Sequence, residues 1–143
     1  KSCFLNHPFE DLVIYEMHVR GFTRDASSGV KAPGTFEGLR EKIPYLKDLG
    51  INAVELMPVF EFDEMEDTRV VDGERLYNYW GYNTVCFFAP NTSYTSVVEH
   101  NHEGDELKNL IYELTLYLTI QRREMRRDHV FPLKELTIIS TIC

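Results

Sequence analysis

The sequence is poor in the features that mark small metal-bound, disulfide-stabilised or membrane-spanning proteins. Its three cysteines, Cys3, Cys86 and Cys143, lie far apart and form no Cys-x-x-Cys pair. This spacing excludes a thiolate zinc motif and a disulfide framework, and it favours a reducing compartment. No apolar run reaches the length of a membrane span, and no signal or transit peptide is visible. Because the chain begins at Lys1 rather than Met, an upstream targeting segment stays open.

Positive charge is also scarce. Lysine and arginine total 15 against 23 acidic residues, which gives a net charge of -8. This balance argues against nucleic acid or an anionic membrane as a partner, and it suits a neutral or cationic ligand. The hydrophobic fraction of 43% and the charged fraction of 27% are typical of a globular protein, and 143 residues suffice for one domain with a sizeable core.

Aromatic residues, in contrast, are concentrated in one segment between Tyr77 and Tyr94. Gly81 and Pro90 interrupt the segment, so we interpret it as loop-like. Tyrosine and tryptophan offer both a stacking face and a polar tip. The segment therefore suits either a hydrophobic cluster beneath a long loop or a stacking wall for a sugar ring. Its aromatic members are Tyr77, Tyr79, Trp80, Tyr82, Phe87, Phe88 and Tyr94.

The first half of the chain has the pattern of a β-α-β unit. An apolar, β-branched run from Leu12 to Val19 predicts a buried parallel strand. Thr35 is a good helix N-cap, and the helix that follows is expected to kink at Pro44 and to end at Gly50. Residues 51–59 predict a second strand. Such units form parallel sheets, in either a doubly wound fold or a (β/α)8 barrel.

The second half is more polar. Residues 60–76 are predicted to form an acidic loop, and a helix is expected from Gly104, closed by four arginines. Residues 135–143 predict a short strand. The apolar stripe of the helix consists of Leu107, Leu110, Ile111, Leu114 and Leu118, and the arginines are Arg122, Arg123, Arg126 and Arg127.

Two glutamates, Glu16 and Glu55, interrupt the predicted strands. If the strands are neighbours and the two residues are level, the carboxyl groups could approach the separation of about 5–5.5 Å that retaining glycosidases need. The alternative, which their mid-strand position favours, is a pair of buried structural carboxylates. His18 likewise has two interpretations, a histidine near a bound sugar or a satisfied core histidine, and the second is favoured.

Two clusters resemble metal sites without matching one. Residues 100–103, His-Asn-His-Glu, have no second ligand group at metal spacing, so we interpret them as a turn. The acidic run from Glu61 to Asp67 lacks the spacing of a calcium loop and is interpreted as a solvated surface. We expect no metal and no cofactor.

Long stretches of the chain resemble the α-amylase superfamily of glycoside hydrolases, and within it the isoamylase-type debranching enzymes, above all those of plants. Three segments carry the resemblance: EDLVIYEMHVRGFT at residues 10–23, GTFEGLREKIPYLKDLGINAVELMPVFEFDE at 34–64 and NYWGYNTVCFFAP at 78–90. The resemblance covers residues 11–114, which would be the N-terminal portion of the catalytic barrel.

The resemblance implies a partial (β/α)8 barrel, its first two strand-helix units, from an enzyme that cleaves α-1,6 branch points of α-glucans. It makes Tyr82 the aromatic that stacks on the sugar at the cleavage subsite and places Trp80 beside it, with Asn83 and Tyr79 as further contacts. It also implies a plastid location. An alternative is a non-catalytic partner that binds glucan or associates with a full-length relative.

The resemblance ends after Leu114. The family continues with a third strand that ends in a D-V-x-x-N-H motif, whereas this chain reads TLYLTIQRREMRRDHVFPLKELTIISTIC. The family's nucleophilic aspartate, acid/base glutamate and transition-state aspartate come from later strands. We therefore expect residues 115–143 to be a divergent, largely helical tail and expect no catalytic residue in this chain. An altered reading frame is one hypothesis for the tail.

Overall fold

The computed structural model describes residues 10, 12–97, 99, 102, 104–125 and 137–140, with side chains described as far as Thr115. Predictions about Cys3, Cys143 and Arg126–Arg127 lie outside this range, as does most of the cluster at residues 100–103. The elements in chain order are β1 (Ile14–Met17), α1 (Val19–Thr23), α2 (Phe36–Glu41), α3 (Ile43–Asp48), β2 (Ala53–Leu56), β3 (Phe60–Phe62), β4 (Arg69–Val71), β5 (Glu74–Leu76), β6 (Thr84–Pro90), α4 (Asp105–Met125) and β7 (Thr137–Ser140).

A parallel sheet of three strands, in the order β1-β2-β7, organises the fold. Strands β1 and β2 pair in register from Ile14 opposite Ala53 to Met17 opposite Leu56, which confirms the predicted parallel pair. Strand β7 adds to the free side of β2, also parallel. The sequence predicted a short strand near the C-terminus but not its place in this sheet. Each strand therefore lies beside the preceding member of the sheet, and the described sheet is open rather than closed.

The helical region between β1 and β2 follows the predicted signals. The Thr35 hydroxyl accepts a hydrogen bond from the Gly38 amide at 3.1 Å and caps α2. The helix then breaks at Lys42, and Pro44 lies in the first turn of α3, where its missing N–H has no helical partner to lose. Gly50 follows with φ of +81°, the left-handed conformation of a helix terminus.

The core lies between one face of the sheet and helices α2, α3 and α4. Because side chains alternate along a strand, Met17, Val54 and Leu56 point into this core, while Ile14 and Glu16 point to the opposite, open face. On α4, Leu110 and Leu114 are buried and Leu107 is partly buried, as the stripe predicted. Ile111 is exposed, so its assignment to the stripe was wrong. The side chain of Leu118 lies outside the described range.

Residues 60–76 are not the continuous loop that their acidity suggested. They contain β3 and a hairpin made of β4 and β5, in which Val71 pairs with Glu74. The two connecting residues, Asp72 and Gly73, have φ of 51° and 84°. Two successive positive φ values are typical of a type I′ turn, for which Asp-Gly is a preferred sequence. The Asp-Gly pair was thus an available signal that the charge of the surrounding residues concealed.

The aromatic segment is likewise only partly a loop. Its second half forms β6, which pairs antiparallel with β3, so that Phe62 lies opposite Thr84. The apolar run in this half favours a strand, and Pro90 stands at the last position of β6 rather than inside it. The turn residues Gly81 and Pro90 therefore bound the strand instead of breaking it.

Two further properties limit what the described residues can do. No helix among them combines the length and the apolarity that a membrane crossing requires. They also contain no group of three or more histidine, cysteine, aspartate or glutamate side chains arranged to hold a metal ion. Cys86, the one cysteine in the described range, is a free, half-buried thiol.

Candidate functional site

The site begins where β1 ends. His18 follows Met17 and serves as the N-cap of α1, because its Nδ1 accepts a hydrogen bond from the Gly21 amide at 3.1 Å. The imidazole is buried and stacks on the Tyr79 ring, with ring centroids 3.9 Å apart and an interplanar angle of 10°. The end of β1 thus fixes a tyrosine that lies 61 positions later in the chain.

The partners of His18 determine its tautomer. The Nε2 atom lies 2.6 Å from the Tyr79 carbonyl oxygen, which can only accept, whereas the Gly21 amide at Nδ1 can only donate. The neutral ring therefore carries its proton on Nε2. Burial lowers the pKa of His18 below its ordinary value, an effect that the hydrogen bond to the Tyr79 carbonyl opposes. His18 is thus a satisfied core histidine, the alternative that the sequence favoured.

Tyr94 lies beneath this pair. Its hydroxyl is 3.2 Å from His18 Nε2, and its ring is buried against Phe36 in an edge-to-face arrangement with centroids 5.8 Å apart. The Arg20 guanidinium lies over the same ring, 5.2 Å from its centroid. Burial raises the pKa of the Tyr94 phenol, so the group stays protonated and can donate a hydrogen bond. Tyr94 is therefore a core residue of the aromatic segment rather than part of a wall.

Arg20 connects the end of β1 to the acidic segment. Its Nη2 donates to Glu64 Oε1 at 2.9 Å and to Ser93 Oγ at 2.7 Å. The sequence had considered Arg20 only as a partner for the strand glutamates, so this link was missed. The acidic segment is in turn internally bonded: Asp63 accepts from the Met65 amide and Glu61 accepts from the Thr92 amide.

Two asparagines shape the loop that carries the exposed aromatics. The Asn78 side chain accepts from the Gly81 amide at 3.3 Å and donates to Asn83 Oδ1 at 2.9 Å. The Asn83 amide nitrogen also donates to the Glu66 carboxylate. Gly81 has φ of +76° and packs so closely on Phe62 that a β-carbon would lie 2.7 Å from its ring. These contacts fix the turn at residues 78–83 in one conformation.

The turn presents Tyr79 and Trp80 as a ridge between two concavities. The two rings meet edge to face, with centroids 5.3 Å apart and an interplanar angle of 83°, and Trp80 is 55% exposed. One side of the ridge is a cleft of about 570 Å³, and the other is a smaller cleft of about 310 Å³. The smaller cleft contains Met17, His18 and Met57, so it opens at the carboxyl ends of β1 and β2.

The other two predicted contacts lie beside the ridge rather than in it. Tyr82 is 54% exposed but lines neither cleft, and the Asn83 side chain is engaged within the loop. The structure therefore brings Tyr79 and Trp80 together at the clefts and places Tyr82 and Asn83 on the far side of Gly81. Their roles in ligand binding remain predictions.

Glu16 and Glu55 satisfy the geometric condition that the sequence set for them. They are direct partners in the register of adjacent parallel strands. Glu16 is exposed and Glu55 is half-buried, so the interpretation of both as buried structural carboxylates was wrong. The reason is that they occupy the open face of the sheet, opposite the helices. Only Glu16 borders the smaller cleft.

Comparison with known proteins places these features in a family. Residues 16–115 match the model of the alpha amylase catalytic domain. The chain is 48% identical over 114 residues to "Isoamylase 1, chloroplastic" of Arabidopsis thaliana, covering 76% of this chain and 15% of the relative. It is 49% identical over 113 residues to "Isoamylase 3, chloroplastic" of Oryza sativa subsp. japonica, covering 76% of this chain and 14% of the relative.

A solved structure agrees with the sequence relatives. The chain superposes on pullulanase complexed with maltotetraose from Anoxybacillus sp. LM18-11 with a TM-score of 0.61 and 33% identity, covering 78% of this chain and 17% of that one. The chain thus spans about a sixth of the length of the proteins that it matches.

Proposed function

The chain belongs to the alpha-amylase catalytic-domain family, and from this premise we propose that it is part of a glycoside hydrolase that debranches α-glucans at α-1,6 linkages. The isoamylases and the pullulanase among its relatives support this reaction class. The two plant relatives are chloroplastic by name, which supports a plastid location. No cofactor is part of the proposal.

The sheet supports a role as part of a (β/α)8 barrel. Three parallel strands follow in the order β1-β2-β7, with helices between them and on one face. A barrel adds its strands sequentially in this way, whereas a doubly wound sheet reverses its order at one point. In this proposal the open face with Ile14, Glu16 and Glu55 faces the barrel interior, and the ends of β1 and β2 face the substrate.

The observation that carries the function is the Tyr79–Trp80 ridge at the carboxyl ends of the strands. Barrel enzymes place their sites at this end, and exposed aromatic rings between clefts suit the apolar faces of sugar rings. We propose that glucan lies against this ridge, with Tyr82 stacking on the sugar at the cleavage subsite, as the resemblance implies. Asn83 contributes by holding the loop and by offering its carbonyl side to a sugar hydroxyl.

Hydrolysis by these 143 residues alone is not part of the proposal. A retaining mechanism needs two carboxyl groups about 5–5.5 Å apart across the sugar. Within the described residues, Asp67 is the one carboxylate that lines the larger cleft, and Glu16 is the one that lines the smaller cleft. We therefore expect binding without turnover.

Calorimetric titration of the chain with a linear maltooligosaccharide tests the binding proposal. Trp80→Ala and Tyr82→Ala are each expected to weaken binding about tenfold, because a lost stacking contact of about 1.4 kcal/mol corresponds to that factor. Tyr112→Ala is the matched control, since Tyr112 is an exposed aromatic on α4 that lines neither cleft. Absence of binding by the folded wild-type chain would contradict the proposal.

An assay for reducing ends released from a branched glucan tests the second part. We expect no release above the uncatalysed background. Release that Glu16→Gln abolishes would instead show that the level pair of strand glutamates is catalytic.

A second candidate function is a non-catalytic glucan-binding or regulatory partner of a full-length debranching enzyme. The open face of the sheet favours it, because Ile14 and Glu16 are exposed there and could be covered by another chain. Addition of the chain to a full-length relative distinguishes the two candidates. A change in the relative's rate on branched glucan, at concentrations where the chain alone is inactive, supports the partner role.

A further inference from the structure

The larger cleft beside the ridge has a charge that the chain as a whole lacks. Arg69 and Arg75 both line it, together with Tyr77 and Trp80, and Asp67 contributes the one carboxylate. The whole chain carries a net charge of -8. A concentration of guanidinium groups at this place is therefore not a consequence of composition, and it differs from the neutral or cationic ligand that the overall charge suggested.

The two arginines are available to a ligand. They lie on neighbouring strands of the β4–β5 hairpin, where Arg69 pairs with Leu76 and Arg75 pairs with Val70, and both are exposed. Among the described residues, neither guanidinium takes part in an ion pair. Arg20, which lines the same cleft, is instead committed to Glu64 and Ser93. The free donors of the cleft thus come from the hairpin.

The hairpin is fixed in place by its own turn. The type I′ conformation at Asp72 and Gly73 sets the register that puts Arg75 one residue beyond the Val71–Glu74 pair. The segment that follows β5 leads directly to Tyr77 and the ridge, so the guanidinium groups and the aromatic rings belong to one continuous surface. The volume of about 570 Å³ lies within the range of ligand pockets, about 300–1,000 Å³.

We propose that this cleft binds the phosphate monoester of a phosphorylated glucan, with the sugar ring against Trp80 and the phosphate at Arg69 and Arg75. The proposal rests on the glucan-binding function proposed above and extends it to a charged substrate class. Guanidinium groups match the geometry of phosphate oxygens and form charge-assisted hydrogen bonds that a neutral hydroxyl cannot replace. A carboxylate fits the same charge with fewer oxygens, and it serves as the competing outcome in the test.

Calorimetric titrations of the 143-residue chain test the proposal with four ligands: a maltooligosaccharide, the same oligosaccharide with one 6-phosphate, the same oligosaccharide with one 6-carboxylate, and inorganic phosphate. The 6-phosphate is expected to bind at least about tenfold more tightly than the neutral sugar. Inorganic phosphate, which has no ring to stack, is expected to bind more weakly than the sugar phosphate. An equal gain with the carboxylate, or equal affinity for inorganic phosphate, would overturn the assignment to a sugar phosphate.

The variant pair assigns the effect to residues. Arg69→Ala with Arg75→Ala is expected to remove the advantage of the phosphorylated sugar and to leave the affinity for the neutral sugar unchanged. Arg24→Ala with Lys31→Ala removes the same charge at exposed positions outside the cleft and is expected to retain most of the advantage. Equal losses in the two double variants would overturn the site, because the attraction would then come from net charge alone.

The results separate this inference from the function on which it rests. If neutral and phosphorylated sugars bind equally, the phosphate site is wrong and the glucan-binding proposal stands. If neither binds to a chain whose circular dichroism shows it to be folded, both are wrong. Loss of affinity for both sugars in Trp80→Ala, with the phosphate advantage retained, supports the division of the surface into a ring contact and an anion contact.

Discussion

The imidazole of His18 and the phenol ring of Tyr79 lie face to face, 3.9 Å apart, and the same imidazole holds the Tyr79 carbonyl at 2.6 Å. One side chain at the end of β1 therefore fixes both the backbone and the ring of the residue that begins the ridge. Because Trp80 meets Tyr79 edge to face, the position of the exposed indole also depends on this contact. His18 acts on the proposed binding surface through Tyr79 and is a positioning residue.

The stability of the chain is expected to depend on pH through His18. The pKa of this residue is lowered on folding, chiefly by burial, from an ordinary value of 6.5. The unfolded chain therefore binds more protons than the folded chain below about pH 6.5, and stability rises with pH in that window. The stabilising contribution is complete above pH 6.5 and is lost as the pH falls through the folded pKa.

Chemical unfolding at pH 7.5 and pH 5.5 measures this contribution in the wild type and in His18→Asn. Asparagine does not titrate and is a preferred N-cap, so it can retain the bond to the Gly21 amide. We expect the wild type to lose more stability than the variant between the two pH values. Parallel losses would assign the pH dependence to other groups.

Gly81→Ala is expected to destabilise the chain by about 2–4 kcal/mol, from a strained left-handed conformation together with an overlap in the core. The overlap arises because the new β-carbon would lie 2.7 Å from the Phe62 ring. The free energy of unfolding from denaturant titration provides the measurement.

Gly73→Ala separates the two causes. Gly73 also has positive φ, +84°, but nothing lies within 4 Å of its β-carbon position. Its replacement is expected to cost about 1 kcal/mol, the conformational part alone. Equal losses at the two glycines would show that the contact with Phe62 does not matter.

Glu106→Gln is expected to destabilise the chain by about 2–3 kcal/mol, because charged hydrogen bonds would be lost in a buried place. Glu106 is 5% exposed, and its Oε1 accepts from the amides of Ser96 at 2.7 Å and Val97 at 2.9 Å. Its Oε2 accepts from the Glu37 amide at 3.3 Å, so one carboxylate joins α4, α2 and the segment after β6.

Glu113→Gln on the same helix is the control for that substitution. Glu113 pairs with Arg40 at 3.2 Å near the surface, and such pairs contribute about 0–1 kcal/mol. Comparison of the two unfolding midpoints, with equal denaturant dependence, measures the difference. A loss at position 113 as large as that at position 106 would contradict the role of burial.

The sequence by itself determined the local elements and the family. Thr35, Pro44 and Gly50 mark where helices begin, break and end because capping, a missing amide proton and left-handed backbone are properties of single residues. The β-branched runs specified the parallel pair of strands for the same reason, since buried parallel strands require near-continuous apolar sequence. Both predictions hold in the structure.

The tertiary structure decided the arrangement of the surface. Residues 60–76 and 84–90 pass for loops when each is considered alone, and they form strands because partners distant in the chain satisfy their backbone groups. The aromatic segment divides into a buried Tyr94, a stacked Tyr79 and an exposed Trp80 only through contacts with His18 and Phe36. The exposure of Glu16 depends on which face of the sheet the helices cover. Such choices follow from pairing over long separations, which composition and periodicity do not encode.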